Sequence, residues 1–225
     1  QAGHVGLCRR ATQLVAMCIA ISALSPPSSA ATIGKGSSTR KDRQEAARAI
    51  PVERLTVDAR QKISPVVAKP SLFRRMPPCV IDCDPQMHRF LVRYPEVVVN
   101  IWRLMGITKV SADREGPFIV NAQDGVGTTT KVELIYGDQD KHLMYCEGYY
   151  DGPLFRRPLT GRCVLLLRSD YQQTKTDRWR ISNRMDVFLQ IDNIAVDAVT
   201  RTLHPLLGKS ADLNFVQSTQ FLERI

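Results

Sequence analysis

Ile181-Ser182-Asn183-Arg184-Met185-Asp186-Val187-Phe188-Leu189-Gln190-Ile191-Asp192 runs without a break into a helix-like stretch of about thirty residues at the end of the chain. Ile181, Met185, Val187, Leu189 and Ile191 fall on one side of an extended chain, and Ser182, Arg184, Asp186, Gln190 and Asp192 mostly on the other. A period of two predicts a strand with one dry and one wet face. The dry face needs a cover. The stretch that follows supplies an apolar stripe, from Ile194, Ala198, Val199, Thr202, Leu203 and Leu206 to Phe215, Val216, Thr219 and Leu222. A bend is expected midway, at Pro205 and Gly208.

Four further strands are expected upstream, from Phe118 to Ala122, Thr128 to Tyr136, Leu143 to Tyr149 and Arg162 to Arg168. Short turn sequences such as Asp124-Gly125-Val126-Gly127 and Gly137-Asp138-Gln139-Asp140 join them, which favours an antiparallel meander over parallel crossovers. With Asp138 and Gln139 as a turn, Leu134 faces Leu143 and Val132 faces Tyr145. Centring the next hairpin between Leu154 and Phe155 sets Tyr145 opposite Val164, Leu143 opposite Leu166, Glu147 opposite Arg162 and Cys146 opposite Cys163. The expected dry face therefore comprises Val132, Leu134, Leu143, Tyr145, Val164, Leu166, Met185 and Val187. Two short helices precede the strands. Met87, Phe90, Leu91 and Tyr94 recur at helical spacing, and Pro95 then opens a second helix carrying Val97, Val98, Ile101, Trp102 and Met105.

The expected fold class is thus α+β: two short helices, then an antiparallel meander sheet gripping a long C-terminal helix. This order resembles the helix-grip fold of the START-like superfamily, the lipid-transfer and polyketide-cyclase relatives, over residues 85–225. The likeness lies in element order and in the strand-to-helix junction from Met185 to Thr202, with no catalytic motif behind it. It departs in one place. The family opens with a long strand, and here the one candidate, Phe73 to Ile81, is interrupted by Pro77 and Pro78. The resemblance implies a cavity between sheet and helix that holds an apolar or lipid-like ligand. Val132, Leu134, Leu143, Tyr145, Val164, Leu166, Met185, Val187, Val199 and Leu203 would line it. The same residues could equally fill that space as core.

The N-terminal region divides the chain further. Arg9 and Arg10, an apolar core from Leu14 to Leu24 and a small-residue end at Ala30 have the form of a secretory signal peptide over residues 1–30, too short for a membrane anchor. Export to a periplasmic or extracellular space is expected. The formal charge is +9, and residues 31–75 carry eleven Lys or Arg against four acids, whereas residues 76–225 carry eighteen of each sign. The excess sits outside the expected domain, which argues against specific nucleic-acid binding. Residues 31–75 are expected as a basic flexible linker, capable of weak contact with an anionic surface.

The remaining motifs exclude more than they assign. Cys146 and Cys163, opposite each other, are the expected disulfide. Cys79 and Cys83 near His88 lack zinc spacing, so neither a metal nor another cofactor is expected. There is no G-x-S-x-G, and Gly125-Val126-Gly127 fits neither a P-loop nor a dinucleotide fingerprint. A non-enzymatic binding domain is the leading expectation, and a tethered structural or interaction protein of the envelope is the alternative. For an enzyme, Tyr145, Asn183 and His204 are the polar groups available to the cavity.

Overall fold

Thr39 and Thr56 cap the first two helices of the structure, a computed structural model that describes residues 35–152, 157–192 and 211–222. The Thr39 hydroxyl oxygen accepts from the Asp42 backbone N–H, and that of Thr56 from Ala59, each cap contributing about 1 kcal/mol. Helix α1 (Arg40–Ala49) and helix α2 (Val57–Ala68) follow. Both lie in the stretch expected as a flexible linker. Ala46 and Ile50, Leu55 between the helices, and Ala59, Ile63 and Val66 are buried against the sheet, so the linker expectation is corrected. Burying Ile63 and Val66 is worth about 1.5–3 kcal/mol each. The half-exposed ion pair between Lys62 and Glu133 adds under about 1 kcal/mol, so burial holds α2 in place.

Strands β1 (Leu72–Arg75) and β2 (Cys79–Asp82) come next, then helices α3 (Pro85–Arg93) and α4 (Pro95–Leu104). Pro95 stands in the first turn of α4, as its missing N–H favours. Six strands complete the sheet: β3 (Ser111–Gly116), β4 (Ile119–Gln123), β5 (Thr128–Gly137), β6 (Lys141–Tyr150), β7 (Leu159–Gln173) and β8 (Trp179–Ile191). Helix α5 covers residues 211–222. The eight-stranded sheet is antiparallel in the order β1-β8-β7-β6-β5-β4-β3, with β2 also on β8. β1 and β2 are therefore two pieces of one edge strand broken at Pro77 and Pro78, and the opening strand of the helix-grip arrangement is present. Among the described residues no helix is long and apolar enough to cross a membrane.

The β6–β7 register places Tyr145 opposite Val164, Leu143 opposite Leu166, Glu147 opposite Arg162 and Cys146 opposite Cys163, as the sequence predicts. The β5–β6 register differs by one residue. Val132 pairs with Cys146 and Leu134 with Met144, and a bulge between Leu134 and Tyr136 absorbs the change. A slip of one exchanges the two faces. On β8, Val187 pairs with Leu165 and Met185 with Leu167, not with the face of Val164 and Leu166. The single expected dry face is therefore two. Leu143, Tyr145, Val164, Leu166, Phe73 and Phe188 pack under α1 and α2. Met144, Cys146, Cys163, Leu165, Leu167, Met185 and Val187 pack on the other side, with Phe215 and Val216 of α5.

One buried carboxylate ties these parts together. Asp186, fully buried on β8, accepts from Arg75 Nε at 2.7 Å and from Arg168 Nη2 at 2.8 Å. Arg75 in turn reaches Asp42 at 2.7 Å and Glu45 at 3.0 Å on α1. Removing one member of such a set strands the others without a counter-charge. Asp186→Ala should lower unfolding stability by about 3 kcal/mol in urea titration; a loss below about 1 kcal/mol would mean that α1 is held by apolar packing alone.

Candidate functional site

Helices α3 and α4 lie across the sheet face opposite α1 and α2, and α5 closes the same side. Between them is a cavity of about 190 Å³. Leu91, Val92, Val98, Val99 and Trp102 line it from the two helices, and Ala112, Val120, Ala122 and Val132 from β3 to β5. Met144, Leu165, Leu167 and Met185 form its floor, and Phe215, Thr219 and Leu222 its α5 wall. Amphipathic spacing puts those residues there: Leu91, Val98 and Trp102 are buried on the inner sides of α3 and α4. Trp102 meets Phe221 edge-on at 5.3 Å, which packs α4 on α5. Arg74 on β1 forms an ion pair with Asp212 and so anchors α5 to the edge strand.

Among the described residues few polar groups reach this space, and most are already satisfied. Both Glu96 oxygens accept from Arg114, at 2.6 and 2.8 Å. The Ser218 and Thr219 hydroxyls donate to carbonyls of their own helix. Two groups remain, His88 and Asn183. His88 on α3 is 1 % exposed, and its Nδ1 lies 3.0 Å from the Tyr171 hydroxyl. Asn183 Oδ1 accepts from Ser169 Oγ at 2.7 Å. His142, fully buried on β6, stands nearby, with its Nε2 3.4 Å from Arg93 Nε. His142 Nδ1 and Asn183 Nδ2 are buried with no hydrogen-bond partner among the described residues.

Burial pushes both imidazoles down to about 4, and for His142 the Arg93 charge acts in the same direction. Both are neutral near pH 7, suited to hydrogen bonding and not to holding an anion by charge. Burial also raises the Tyr171 phenol. Among the described residues, the Tyr171 hydroxyl beside the His88 ring is the hydroxyl–imidazole contact of this cluster.

The residues expected as lining separate in the structure. Val132 and Met185 line the cavity, and Val187 lies in the core on the same side. Leu134, half-buried, pairs with Met144 but is not among the lining residues. Leu143, Tyr145, Val164 and Leu166 face α1 and α2, on the far side of the sheet. Val199, Leu203 and His204 lie outside the described residues, as does the 1–30 segment. Of the polar groups named for an enzyme, Asn183 reaches the cavity and Tyr145 does not. His88 and most of the α3–α4 wall escaped sequence reading as site residues. The available signal was the helical apolar period of that segment, which says that a face is buried without saying against what. Arg162 stands opposite Glu147, but its ion pair is with Asp192.

No family model and no curated protein matches the sequence. Among solved structures, the fold is similar to a conserved protein from Geobacillus kaustophilus, at 10 % identity and a TM-score of 0.45, over 65 % of this chain and 92 % of that one. A protein from Helicobacter pylori aligns at 10 % identity and TM-score 0.41, over 65 % and 85 % of the two chains. Truncated norcoclaurine synthase from Thalictrum flavum aligns at 11 % and 0.39, over 65 % and 91 %. Likenesses at this level say nothing about activity.

The neutral histidines carry a pH signature. An unfolded histidine titrates near 6.5 and these fold with values of about 4, so the unfolded chain binds more protons in between. Their stabilisation is whole above about pH 6.5 and is lost as pH falls towards 4, on the order of 3 kcal/mol each. Urea midpoints between pH 7.5 and 4.5 should fall steeply for the wild type and less for a His88→Gln, His142→Gln double variant. Parallel curves would instead assign the loss to carboxylates.

Proposed function

We propose that this chain is a non-enzymatic domain that binds a small apolar molecule between its sheet and its C-terminal helix. The observation that carries the reading is the cavity of about 190 Å³, whose described walls are mainly aliphatic and aromatic side chains. A well-packed core keeps few voids larger than water, and an apolar void of about 150 Å³ is enough to hold benzene. The space fits one ring or a short acyl segment more readily than a whole lipid. The helix-grip arrangement, in which such a space is commonly used for apolar ligands, supports the same reading by analogy. The alternative, a protein held in the envelope by a free basic tether, loses its main support because residues 40–68 are folded onto the sheet.

Filling the cavity tests the reading directly. Ala122→Phe places a ring into the space from β4. It should reduce binding of a fluorescent apolar probe at least about tenfold, a change of about 1.4 kcal/mol, while leaving the melting temperature unchanged or higher. Undiminished probe binding by a folded variant would remove the cavity from the function.

The signal-like residues 1–30 support export, and the facing, buried pair Cys146 and Cys163 supports a disulfide in an oxidising compartment. The protein recovered from the exporting fraction should have Ala31 as its first residue, with a peptide joining Cys146 to Cys163 before reduction. A retained N-terminus or separate cysteine peptides would count against export or the bridge respectively.

A further inference from the structure

One side-chain amide among the described lining residues limits what this largely apolar cavity accepts. Asn183 is 2 % exposed and lines the space beside Leu167 and Met185. Its Oδ1 accepts from Ser169 Oγ at 2.7 Å. The oxygen is thus committed, and Nδ2 is the end with hydrogens left to donate. Nδ2 is buried with no hydrogen-bond partner among the described residues. The large majority of buried side-chain polar atoms have one. Asparagine is also a poor strand former, and the Ser169 contact across β7 occupies its oxygen only.

Charge narrows the ligand further. Among the described residues, Glu96 is the carboxylate that lines the cavity, and both its oxygens are held by Arg114. No Lys or Arg is among the described lining residues. His88, neutral near pH 7, adds no cation. A carboxylate inside would find no counter-charge among the described lining residues, and burying one unpaired is strongly unfavourable. An uncharged acceptor meets no such penalty.

We propose that the cavity takes an uncharged molecule with an apolar body of about one ring and a single hydrogen-bond acceptor, a carbonyl oxygen, docked on Asn183 Nδ2. This rests on the reading that the cavity holds a ligand. A site built to hydrogen-bond a ligand discriminates strongly against the analogue lacking that group, so matched probes resolve the question.

Acetophenone, ethylbenzene and benzoate are titrated into the full chain at pH 7.5 by calorimetry, and the Asn183 side-chain amide is followed by NMR. Acetophenone should bind at least about tenfold more tightly than ethylbenzene, and benzoate should not bind. The Asn183 NH₂ resonances should move downfield with acetophenone only. In Asn183→Leu, acetophenone should fall to the level of ethylbenzene, while ethylbenzene stays within about twofold of its wild-type affinity, which also shows that the variant is folded. If that variant does not fold, the wild-type ranking and the amide signal decide. Equal binding of ketone and hydrocarbon to the wild type, with an unmoved amide, overturns the acceptor assignment and leaves the apolar cavity standing, with Nδ2 satisfied by water. Tightest binding of benzoate overturns it through charge. Failure of all three probes overturns the cavity reading as well.

Discussion

The carboxylate of Asp186 is the constraint on which the rest of this fold turns. It sits in the middle of β8, fully buried, on a strand whose neighbours are aliphatic. A lone ion there would not be tolerated. Two guanidiniums from the strands on either side, Arg75 and Arg168, make it tolerable, and Arg75 extends the network to α1. β1, β7, β8 and α1 are thereby fixed relative to one another. An ion pair of this kind is weak evidence for net stability, because desolvation offsets much of the attraction. Its contribution is to register: only one seating of α1 on the sheet supplies every partner.

That network explains how much of the fold was legible. The period-two pattern in β8, the turn sequences and the β6–β7 register could be read from residue order, because each rests on neighbours close in sequence. The α1–α2 layer could not. Its apolar positions Ala46, Ile50, Leu55, Ala59, Ile63 and Val66 are sparse and set among many charges, and composition dominated their reading. One cue was available. Cys163-Val164-Leu165-Leu166-Leu167 is a continuous apolar run, all five buried, and such runs mark strands covered on both faces. A second layer was therefore required.

The candidate site was less legible for a related reason. A single bulge between Leu134 and Tyr136 shifts β5 against β6 by one residue, and parity decides which face a side chain joins. Leu143 and Tyr145 thus belong to the α2 side, and Met144 to the cavity. β3 was not expected at all, since Ser-Ala-Asp-Arg-Glu-Gly shows no apolar alternation; it forms because β4 offers it a ladder and Ala112 packs with Val120 and Ala122. The described cavity walls come from α3, α4, the strands β3 to β8 and α5, and no local pattern reports such a convergence.

The two ends of the sheet have a consequence for association. One ends on the strand broken at Pro77 and Pro78, where missing N–H donors interrupt the outward ladder. The other ends on β3, with Asp113, Arg114 and Glu115 in succession and a bulge after Arg114. Breaks, charges and bulges are the means by which an open sheet refuses a strand from a second molecule. A meander with two free borders could otherwise grow into fibrils. Both margins carry features that disfavour extension of the hydrogen-bonded ladder by a second molecule.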